Sequence, residues 1–397
     1  MLSVLRDRHF ALLWTGGLVS VLGDWVLNAA LPFFVYEETG STVATAGMVV
    51  ARLAPAVLLG SVAGVFVDRW SRKRVLVWSN LLQAGIVTLL LLVPGEGWLW
   101  VVFAVAAAQS VLASFSSPAE SALLPALVDD SELVAANALN TLNNRIARLA
   151  GAPLGGALLA SLGLEAVVVV DAATFVAAAA LIGPIAAPRT PRSLVGVTSA
   201  WESFWGEWLE GLRLVGRNRA LALLFVVFGL MTFGGTMLDP LTVAWVRDVL
   251  HEGPQVFAWI LTVHAASGIV GSLLVGGLGR LLRPRDLIGW GSLVAAAALA
   301  LRYNVPSVAL ALALSAVVGV TSVASSIGAE TLAMQSVPDE FRGRVFGSLT
   351  ATLGLLSLAG AAAGGLLAEA VGIVPMLNVA VALTALAGLV VLRAYAR

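Results

Sequence analysis

Apolar stretches of about twenty residues follow one another along the whole chain, with only short polar breaks between them. A helix needs about 20 apolar residues to cross the hydrocarbon core of a bilayer, where the backbone must satisfy its own hydrogen bonds. The pattern therefore predicts an all-α integral membrane protein. We count twelve spans, with approximate limits 10–36, 44–67, 75–93, 98–118, 141–162, 166–187, 220–243, 256–278, 287–302, 306–328, 345–367 and 372–393.

Composition excludes several other classes of protein. Of the 397 residues, 59% are hydrophobic and 12% are charged, about half the charged fraction of a soluble domain. The 23 basic and 23 acidic side chains cancel, which gives no reason to expect a nucleic-acid partner. There is no Cys and there are three His, so disulfides and Cys/His metal centres are excluded, and we expect neither a metal nor a cofactor.

The distribution of cations predicts the orientation in the membrane. If the polar breaks alternate sides, 18 of the 23 Lys and Arg residues fall on the side of the N-terminus, and only Arg247 and Arg302 fall on the other. By the positive-inside rule, both termini are expected in the cytoplasm. The first ten residues lack a small-residue cleavage site and are interpreted as a cytoplasmic cap on the first span rather than a signal peptide.

The charged residues also repeat along the chain. At an offset of 211, Arg69, Arg72 and Arg74 match Arg280, Arg283 and Arg285, and at an offset of 210 Ala119-Glu120 matches Ala329-Glu330. Six spans separate each pair, which predicts two pseudo-symmetric six-helix bundles in the same orientation. We expect an N-terminal bundle at 1–187, a linker at 188–219 and a C-terminal bundle at 220–397.

The linker carries its own helical pattern. Its apolar side chains recur at the spacing of one helix face, with charged residues between them, so it is expected to lie flat at the cytoplasmic interface. A simple tether between the bundles is the alternative interpretation. The apolar positions are Trp201, Phe204, Trp205, Trp208 and Leu212.

A carboxylate lies in the middle of the first span. Asp24 follows Gly23 and precedes Trp25 and Asn28, and a charge at this depth costs about 2.5–3.5 kcal/mol on insertion scales. It should therefore face the bundle interior, with Arg52 of the second span as its basic partner. Asp24 is a candidate for taking up and releasing a proton; a purely structural pair with Arg52 is the alternative. Trp25 is a candidate for lining an apolar cavity inside the bundle or for anchoring the span at the membrane interface.

Other ionisable residues in or near spans are further candidates. Asp171 and Asp239, in the shallower parts of spans six and seven, are weaker candidates. His264 in span eight is a candidate for titration near neutral pH, with a hydrogen-bonded packing residue as the alternative. Glu120 and Glu330 occupy matching positions near the cytoplasmic ends of spans four and ten. They are expected to form a paired gate or to be solvated; the candidate partners for a gate are Arg145, Arg148, Arg342 and Arg344.

The loop after the second span, Gly64-Val-Phe-Val-Asp68-Arg69-Trp-Ser71-Arg72-Lys-Arg74, resembles the cytoplasmic signature of the major facilitator superfamily. Ser71 replaces the usual Gly of that pattern. The resemblance implies that Asp68 is a latch to the start of span eleven, with Arg69 and Arg72 beside it. A basic loop that only sets topology is the alternative.

A second motif lies in span five. The run Gly151-Ala-Pro153-Leu-Gly155-Gly156 resembles the Gly- and Pro-rich antiporter signature of exporters in that superfamily, with Ala152 in place of a Gly. Pro153 is expected to kink the helix, and the glycines allow a neighbouring helix to approach closely. Close packing without any antiport function is the alternative.

Local stretches resemble one branch of the superfamily, the enterobactin and macrolide exporters. They are Gly23-Asp24, Pro118–Pro125, Ala136–Leu139 and Arg342–Val345. The resemblance implies a monomer in the inner membrane of a bacterium, which exports small amphiphilic substrates by alternating access. The resemblance also implies that protons are the coupling ion and that membrane lipid surrounds the protein. A lipid or lysophospholipid flippase of the same fold is the alternative.

Enzyme and receptor functions find no support in the sequence. It has no HExxH metal motif, no phosphate-binding loop and no sensor domain, and we therefore expect no enzymatic activity.

Overall fold

A computed structural model describes residues 4–67, 69–93, 97, 99–186, 197–278, 282–337 and 339–394, and the side chains at 61, 62, 65, 197–205, 207, 278 and 340 are not described. The described chain is almost entirely helical and contains no β-strand. The α-helices are α1 (Arg8–Thr39), α2 (Thr42–Val67), α3 (Arg72–Val87), α4 (Leu99–Leu123), α5 (Leu133–Ile182), α6 (Val197–Arg217), α7 (Arg219–Asp248), α8 (Pro254–Leu278), α9 (Pro284–Asn304), α10 (Val308–Ser336), α11 (Arg342–Val371) and α12 (Ile373–Ala394). Short 3₁₀ turns extend several of them, including Thr88–Leu92 after α3.

The expected twelve-span membrane fold is confirmed. Ten helical segments of the described chain are long and apolar enough to span a bilayer. One of them, Asp130–Ile182, has 53 residues and holds two spans, because Gly163 leaves the helical region at φ 78° and ψ −175°. The twelfth span is α9, whose 21 residues include charged side chains at both ends.

Local capping explains where several helices begin and end. The Asn218 side chain accepts hydrogen bonds from the backbone N–H groups of Ala220 (2.9 Å) and Leu221 (3.3 Å), which starts α7. Gly372 follows α11 at φ 99°, a conformation that a residue with a Cβ rarely adopts. Each cap satisfies backbone groups that a helix end leaves without partners.

The chain forms two compact units. The first unit comprises Met1–Glu38 and Ala51–Glu202, and the second comprises Thr39–Val50 and Ser203–Arg397. In the first unit α3 packs on α4 and α5; in the second, α7 packs on α11 and α12, and α10 packs on α8 and α9. Helix α2 begins in the second unit and ends in the first.

Arg302 is part of the buried core of the second unit. Its side chain is 5% exposed, and its guanidinium donates to Ser315 Oγ (3.1 Å) and to the hydroxyl of Tyr303. The Tyr303 hydroxyl lies 3.0 Å from Thr242 Oγ1, and Trp245 Nε1 donates to the Tyr303 carbonyl (3.2 Å). Arg302, expected near the membrane surface, thus joins α7, α9 and α10.

The second half of the linker helix packs against α11. Glu210 pairs with Arg344 at 3.1 Å, Trp208 Nε1 donates to Thr352 Oγ1 at 3.2 Å, and Ser348 Oγ donates to the Trp208 carbonyl at 3.1 Å. Trp208 was expected on the aromatic face directed at the membrane, and here it contacts a neighbouring helix. The linker residues 187–196 and the side chains of Trp201, Phe204 and Trp205 lie outside the described residues.

Candidate functional site: the carboxylates of the first unit

Helix α5 lies directly against α1 at the turn that carries Asp24. A Cβ added to Gly151 would lie 2.7 Å from both the Leu22 carbonyl oxygen and Trp25 Cβ, and one added to Gly155 would overlap the Val26 carbonyl. Only glycine permits so close an approach of two backbones. These two glycines of the antiporter-like motif therefore fix the α1 backbone around Asp24.

The other two residues of that motif are Gly156 and Pro153, and both lie inside helix α5. Gly156 is buried, and Pro153 is partly buried. Pro153 lies inside the helix, and the only residue of α5 with non-helical backbone angles is Gly163, ten residues further on.

The part of α5 after Gly163 meets α1 at Gly23. A Cβ on Gly23 would lie 2.5 Å from Asp171 Oδ1 and would overlap Thr174 Oγ1. Asp171 is 0% exposed, and neither of its carboxyl oxygens has a hydrogen-bond partner among the described residues. Its charge and that of Asp24 interact. A fully buried carboxylate without a partner costs several kcal/mol.

Two basic residues lie near the same turn of α1. Arg52 of α2 interacts electrostatically with Asp24. The Arg148 guanidinium lies over the Trp25 ring, 5.0 Å from its centroid, in a cation–π contact. Asn28, one turn further along α1, is partly buried. Trp25 thus has a polar neighbour on α5, as well as the close contact with Gly151.

Asp24 borders a polar cavity of about 220 Å³ inside the first unit. The cavity extends along one face of α1 and is completed by α3, α4 and α5. Its polar lining residues are Ser20, Asp24, Asn80, Gln83, Ser116, Ser117, Glu120, Ser121, Asn140, Asn143 and Asn144.

Glu120 lies in this cavity, and the expected ion pairs with arginines are not found for it. Its Oε1 is 3.3 Å from the position of a Cβ on Gly17, and it makes no hydrogen bond or ion pair with a described residue. Arg145 is exposed on α5. Within the described chain, the structure therefore places Glu120 in the wall of a cavity.

In the second unit, the arginines expected at the gate have other partners. Arg342 pairs with Asp339 at 2.8 Å, and Arg344 pairs with Glu210 on the linker helix. Glu330 is exposed and forms no ion pair with a described residue.

The signature loop is described only in part. Asp68 lies outside the described residues. Arg72 donates to the Ala122 carbonyl at 2.7 Å and so stabilises the last turn of α4. Arg69 is partly buried. No described atom lies within 4 Å of a Cβ added to Gly64.

Asp239 and His264 belong to the second unit. Asp239 precedes Pro240 in α7, and His264 lies on α8, where its carbonyl accepts from Ser267 Oγ at 3.0 Å. Both residues make further interactions. Among the described residues no group of three His, Asp or Glu side chains could hold a metal ion.

The sequence indicates Asp171 only as a weaker candidate, and the cavity amides are not among the residues that it predicts for the site. The amides do leave a trace in the sequence: Asn80 and Gln83 recur at i, i+3, and Asn140, Asn143 and Asn144 at i, i+3, i+4, so each set lies on one helix face. In an apolar span, such a set indicates a wet interior surface.

Comparison with known proteins identifies the family. The model of the family described as "Transmembrane secretion effector" (MFS_3) matches residues 1–397. Macrolide efflux protein A of Streptococcus pyogenes is 25% identical over 370 residues, which cover 92% of this chain and 90% of that protein. The putative bacilysin exporter BacE of Bacillus subtilis is 23% identical and covers 86% of this chain and 84% of its own. YkuC of Bacillus subtilis, an uncharacterised transporter, is 25% identical over 70% of this chain, and this chain spans just under two thirds (66%) of its length.

Solved structures show the same fold. A bacterial homologue of the iron transporter ferroportin, in an inward-facing state, superposes with a TM-score of 0.77 at 19% identity, covering 98% of this chain and 99% of that one. A mutant form of the nucleoside transporter NupG gives a TM-score of 0.80 at 12% identity, covering 98% and 100%. The chain therefore belongs to the transmembrane secretion effector family and is a multi-pass membrane transporter of the major facilitator superfamily.

Proposed function

We propose that this transporter exports small amphiphilic molecules in exchange for protons, by alternating access, with Asp24 as the carboxyl that carries the proton. The observation that carries the proposal is the position of Asp24, an acid within an apolar span that borders an internal cavity. The substrate class follows two relatives, which are named as a macrolide efflux protein and a putative bacilysin exporter.

The surroundings of Asp24 suit a group that alternates between charged and neutral forms. Asp24 lies in an apolar span, where an isolated charge is costly, and the positive charge of Arg52 interacts with it. Asp171, in contact with the Gly23 backbone, adds a second acid whose charge repels that of Asp24. A modest change in the distance of Arg52 or in water access would therefore change which form of Asp24 is stable.

The proposed cycle follows from this balance. Asp24 binds a proton when it faces the outside and releases it to the cytoplasm, while cargo moves the opposite way. We place the protein in the cytoplasmic membrane of a bacterium, with both termini in the cytoplasm, and expect a monomer to carry out the whole cycle. Asp68 and the arginines of its loop are proposed to hold the cytoplasmic side closed.

The experiment is gradient-driven transport of a radiolabelled macrolide in proteoliposomes with an imposed pH gradient. The native protein is expected to accumulate the macrolide, and Asp24→Asn is expected to lose accumulation because an amide cannot release a proton. The variant should still exchange labelled for unlabelled macrolide without a gradient, which shows that it is folded.

Asp130→Asn is the matched control, because Asp130 is an exposed acid of the same unit outside the cavity. Full gradient-driven accumulation by Asp24→Asn would refute the assignment of Asp24. Gradient-driven movement of a fluorescent lysophospholipid, without that of the macrolide, would replace the proposed cargo with a lipid.

A further inference from the structure

The outer face of the linker helix α6 carries side chains that the proposed transport cycle does not use. Its inner face is fixed by the contacts of Trp208 and Gly211 with α11 and by Val215, which is 6% exposed. Val215 packs in one apolar cluster with the beginning of α7, the end of α10 and the beginning of α11. Helix α6 therefore lies at the end of the second unit where these three spans begin or end.

The outer face of α6 is basic. Leu209, Arg213 and Arg217 follow one another at intervals of four residues, which places them on one side of the helix, and all three are exposed. With 3.6 residues per turn, that side lies opposite the inner face. Arg219, the first residue of α7, is also exposed and follows directly after the corner at Asn218. These four side chains, without Asn218, form what we call the basic face of α6.

The arginines of the basic face are not balanced by acids of the described chain. Arg213, Arg217 and Arg219 form no ion pair with a described residue. The segment 208–219 contains one acid, Glu210, and this acid pairs with Arg344 at 3.1 Å. Three positive charges therefore lie close together on one surface, which attracts an anion.

The position of the basic face in the membrane indicates which anion it meets. Arg219 begins α7, one of the segments that are long and apolar enough to span a bilayer. An arginine at the end of a span lies near the lipid phosphates, and the negative surface of the cytoplasmic leaflet attracts basic segments. Leu209, 45% exposed, adds an apolar side chain to the same face, as in helices that rest between head groups and acyl chains.

We propose that the basic face of α6 binds the phosphate of an anionic phospholipid in the cytoplasmic leaflet. A guanidinium carries two parallel donors that fit two oxygens of one phosphate. Leu209 adjoins the acyl chains, a contact that a free phosphate ion cannot make. The inference goes beyond the proposed function, because it depends neither on the cargo nor on the coupling ion.

A lipid bound to the basic face would also act on α11. The pair of Glu210 with Arg344 and the hydrogen bond of Trp208 with Thr352 join α6 to α11, so the lipid would hold the first turns of α11 at the membrane surface. The sequence predicted contact with the membrane through the aromatic face of α6. The structure places Trp208 of that face against α11 and leaves the basic face for the lipid.

The test is native mass spectrometry of the purified protein, released from a non-ionic detergent. Phosphatidylglycerol and phosphatidylcholine with the same acyl chains are present in equal amounts, so that they differ only in the head group. The native protein should retain phosphatidylglycerol at least about tenfold more than phosphatidylcholine, the factor that corresponds to about 1.4 kcal/mol. The triple variant Arg213→Gln, Arg217→Gln, Arg219→Gln should lose most of this preference.

The matched control removes the same charge elsewhere. The triple variant Arg8→Gln, Arg283→Gln, Arg393→Gln loses three exposed arginines that are scattered along the chain, and it should keep the preference. Leu209→Glu keeps the arginines of the basic face and places a carboxylate one turn before Arg213, where the two can pair. Because this position is exposed, the variant should lower the preference even if the first triple variant does not fold.

Four results would overturn the inference. The first is an undiminished preference in the variant that lacks Arg213, Arg217 and Arg219, and the second is an equal loss in the scattered control, which would show that net charge alone determines retention. The third is displacement of phosphatidylglycerol by ammonium phosphate at constant ionic strength, which would assign the face to a soluble anion. The fourth is a preference that does not fall when ammonium acetate is raised, since salt screens contacts between exposed charges.

Discussion

At the scale of single residues, glycines determine where the proposed coupling acid lies. Gly151 and Gly155 allow the part of α5 before Gly163 to pack closely on α1 at the turn of Asp24. Gly23, directly before Asp24, leaves space for the Asp171 side chain from the part of α5 after Gly163. The turn of Asp24 is therefore contacted by both helical stretches of α5, one before and one after Gly163. Neither contact leaves space for a Cβ, so the positions of these backbones depend on the absence of a side chain.

Replacing Gly155 with Ala should separate α1 from α5. Its Cβ would overlap the Val26 carbonyl, and overpacking of this kind costs about 1–3 kcal/mol. Gly85→Ala in α3 is the matched control, since no described atom lies within 4 Å of a Cβ there. Thermal unfolding in detergent should show a lower melting temperature for Gly155→Ala only. Equal melting temperatures of the two variants would contradict the close contact.

The sequence alone could identify Asp24 but not its surroundings. An acid within an apolar run is conspicuous, because insertion scales give its cost directly. Asp171 lies near one end of its predicted span and gained importance only from contact with Gly23, 148 positions away in the sequence. Asn143 is similar, because its bond to Trp14 joins helices that are 129 positions apart. Contacts of this range depend on how the helices pack.

At the scale of helices, the linker helix α6 is fastened to α11. Trp208, Glu210 and Gly211 form one contact surface on α6, and a Cβ on Gly211 would overlap Ser348 Oγ. The sequence predicted the helix from its apolar spacing but placed its aromatic face at the membrane. Periodicity reveals that a helix has an apolar face, but it does not reveal what that face contacts.

Gly211→Leu should detach α6 from α11. The side chain cannot be placed without displacing Ser348, so the hydrogen bond to Trp208 and the pair of Glu210 with Arg344 should be lost together. Hydrogen exchange of the amides at 208–217 should become faster. Gly206→Leu, on the same helix with no described atom within 4 Å, should leave exchange unchanged. Protected amides in Gly211→Leu would show that the contact is not formed.

The boundaries of the spans could also be predicted only in part. The sequence predicts spans five and six at 141–162 and 166–187, and the structure has two helical stretches within Leu133–Ile182 that are separated at Gly163. The break could be predicted, because a glycine lies between two apolar runs. The helical extension before 141 could not, because its polar residues line the cavity or face outward and do not resemble a membrane span.

At the scale of the whole molecule, the two halves of the internal repeat have the same packing positions but differ in the surroundings of their acidic side chains. Ala119 and Ala329 are matched in sequence and are 0% and 1% exposed, so both serve the same packing role. The neighbouring acids differ: Glu120 lines the polar cavity of the first unit, whereas Glu330 is exposed. Duplication therefore preserved packing positions, and the polar cavity described above belongs to the first unit.

The proposed orientation can be tested with single cysteines, because the native chain has none. Glu165→Cys, next to the break in α5, should react with a membrane-impermeant maleimide added to intact cells. Asp130→Cys, between α4 and α5, should react only after the cells are made permeable. Labelling of Asp130→Cys in intact cells, with protection of Glu165→Cys, would reverse the orientation and place both termini outside.

The most direct test of the account is to count protons and cargo in the same proteoliposomes. With no pH gradient imposed, an outward flow of macrolide down its own concentration gradient should drive protons inward, and a pH-sensitive dye inside the vesicles should record acidification. Asp24→Asn is expected to move the macrolide without any proton signal. Proton movement of native size through Asp24→Asn would contradict it.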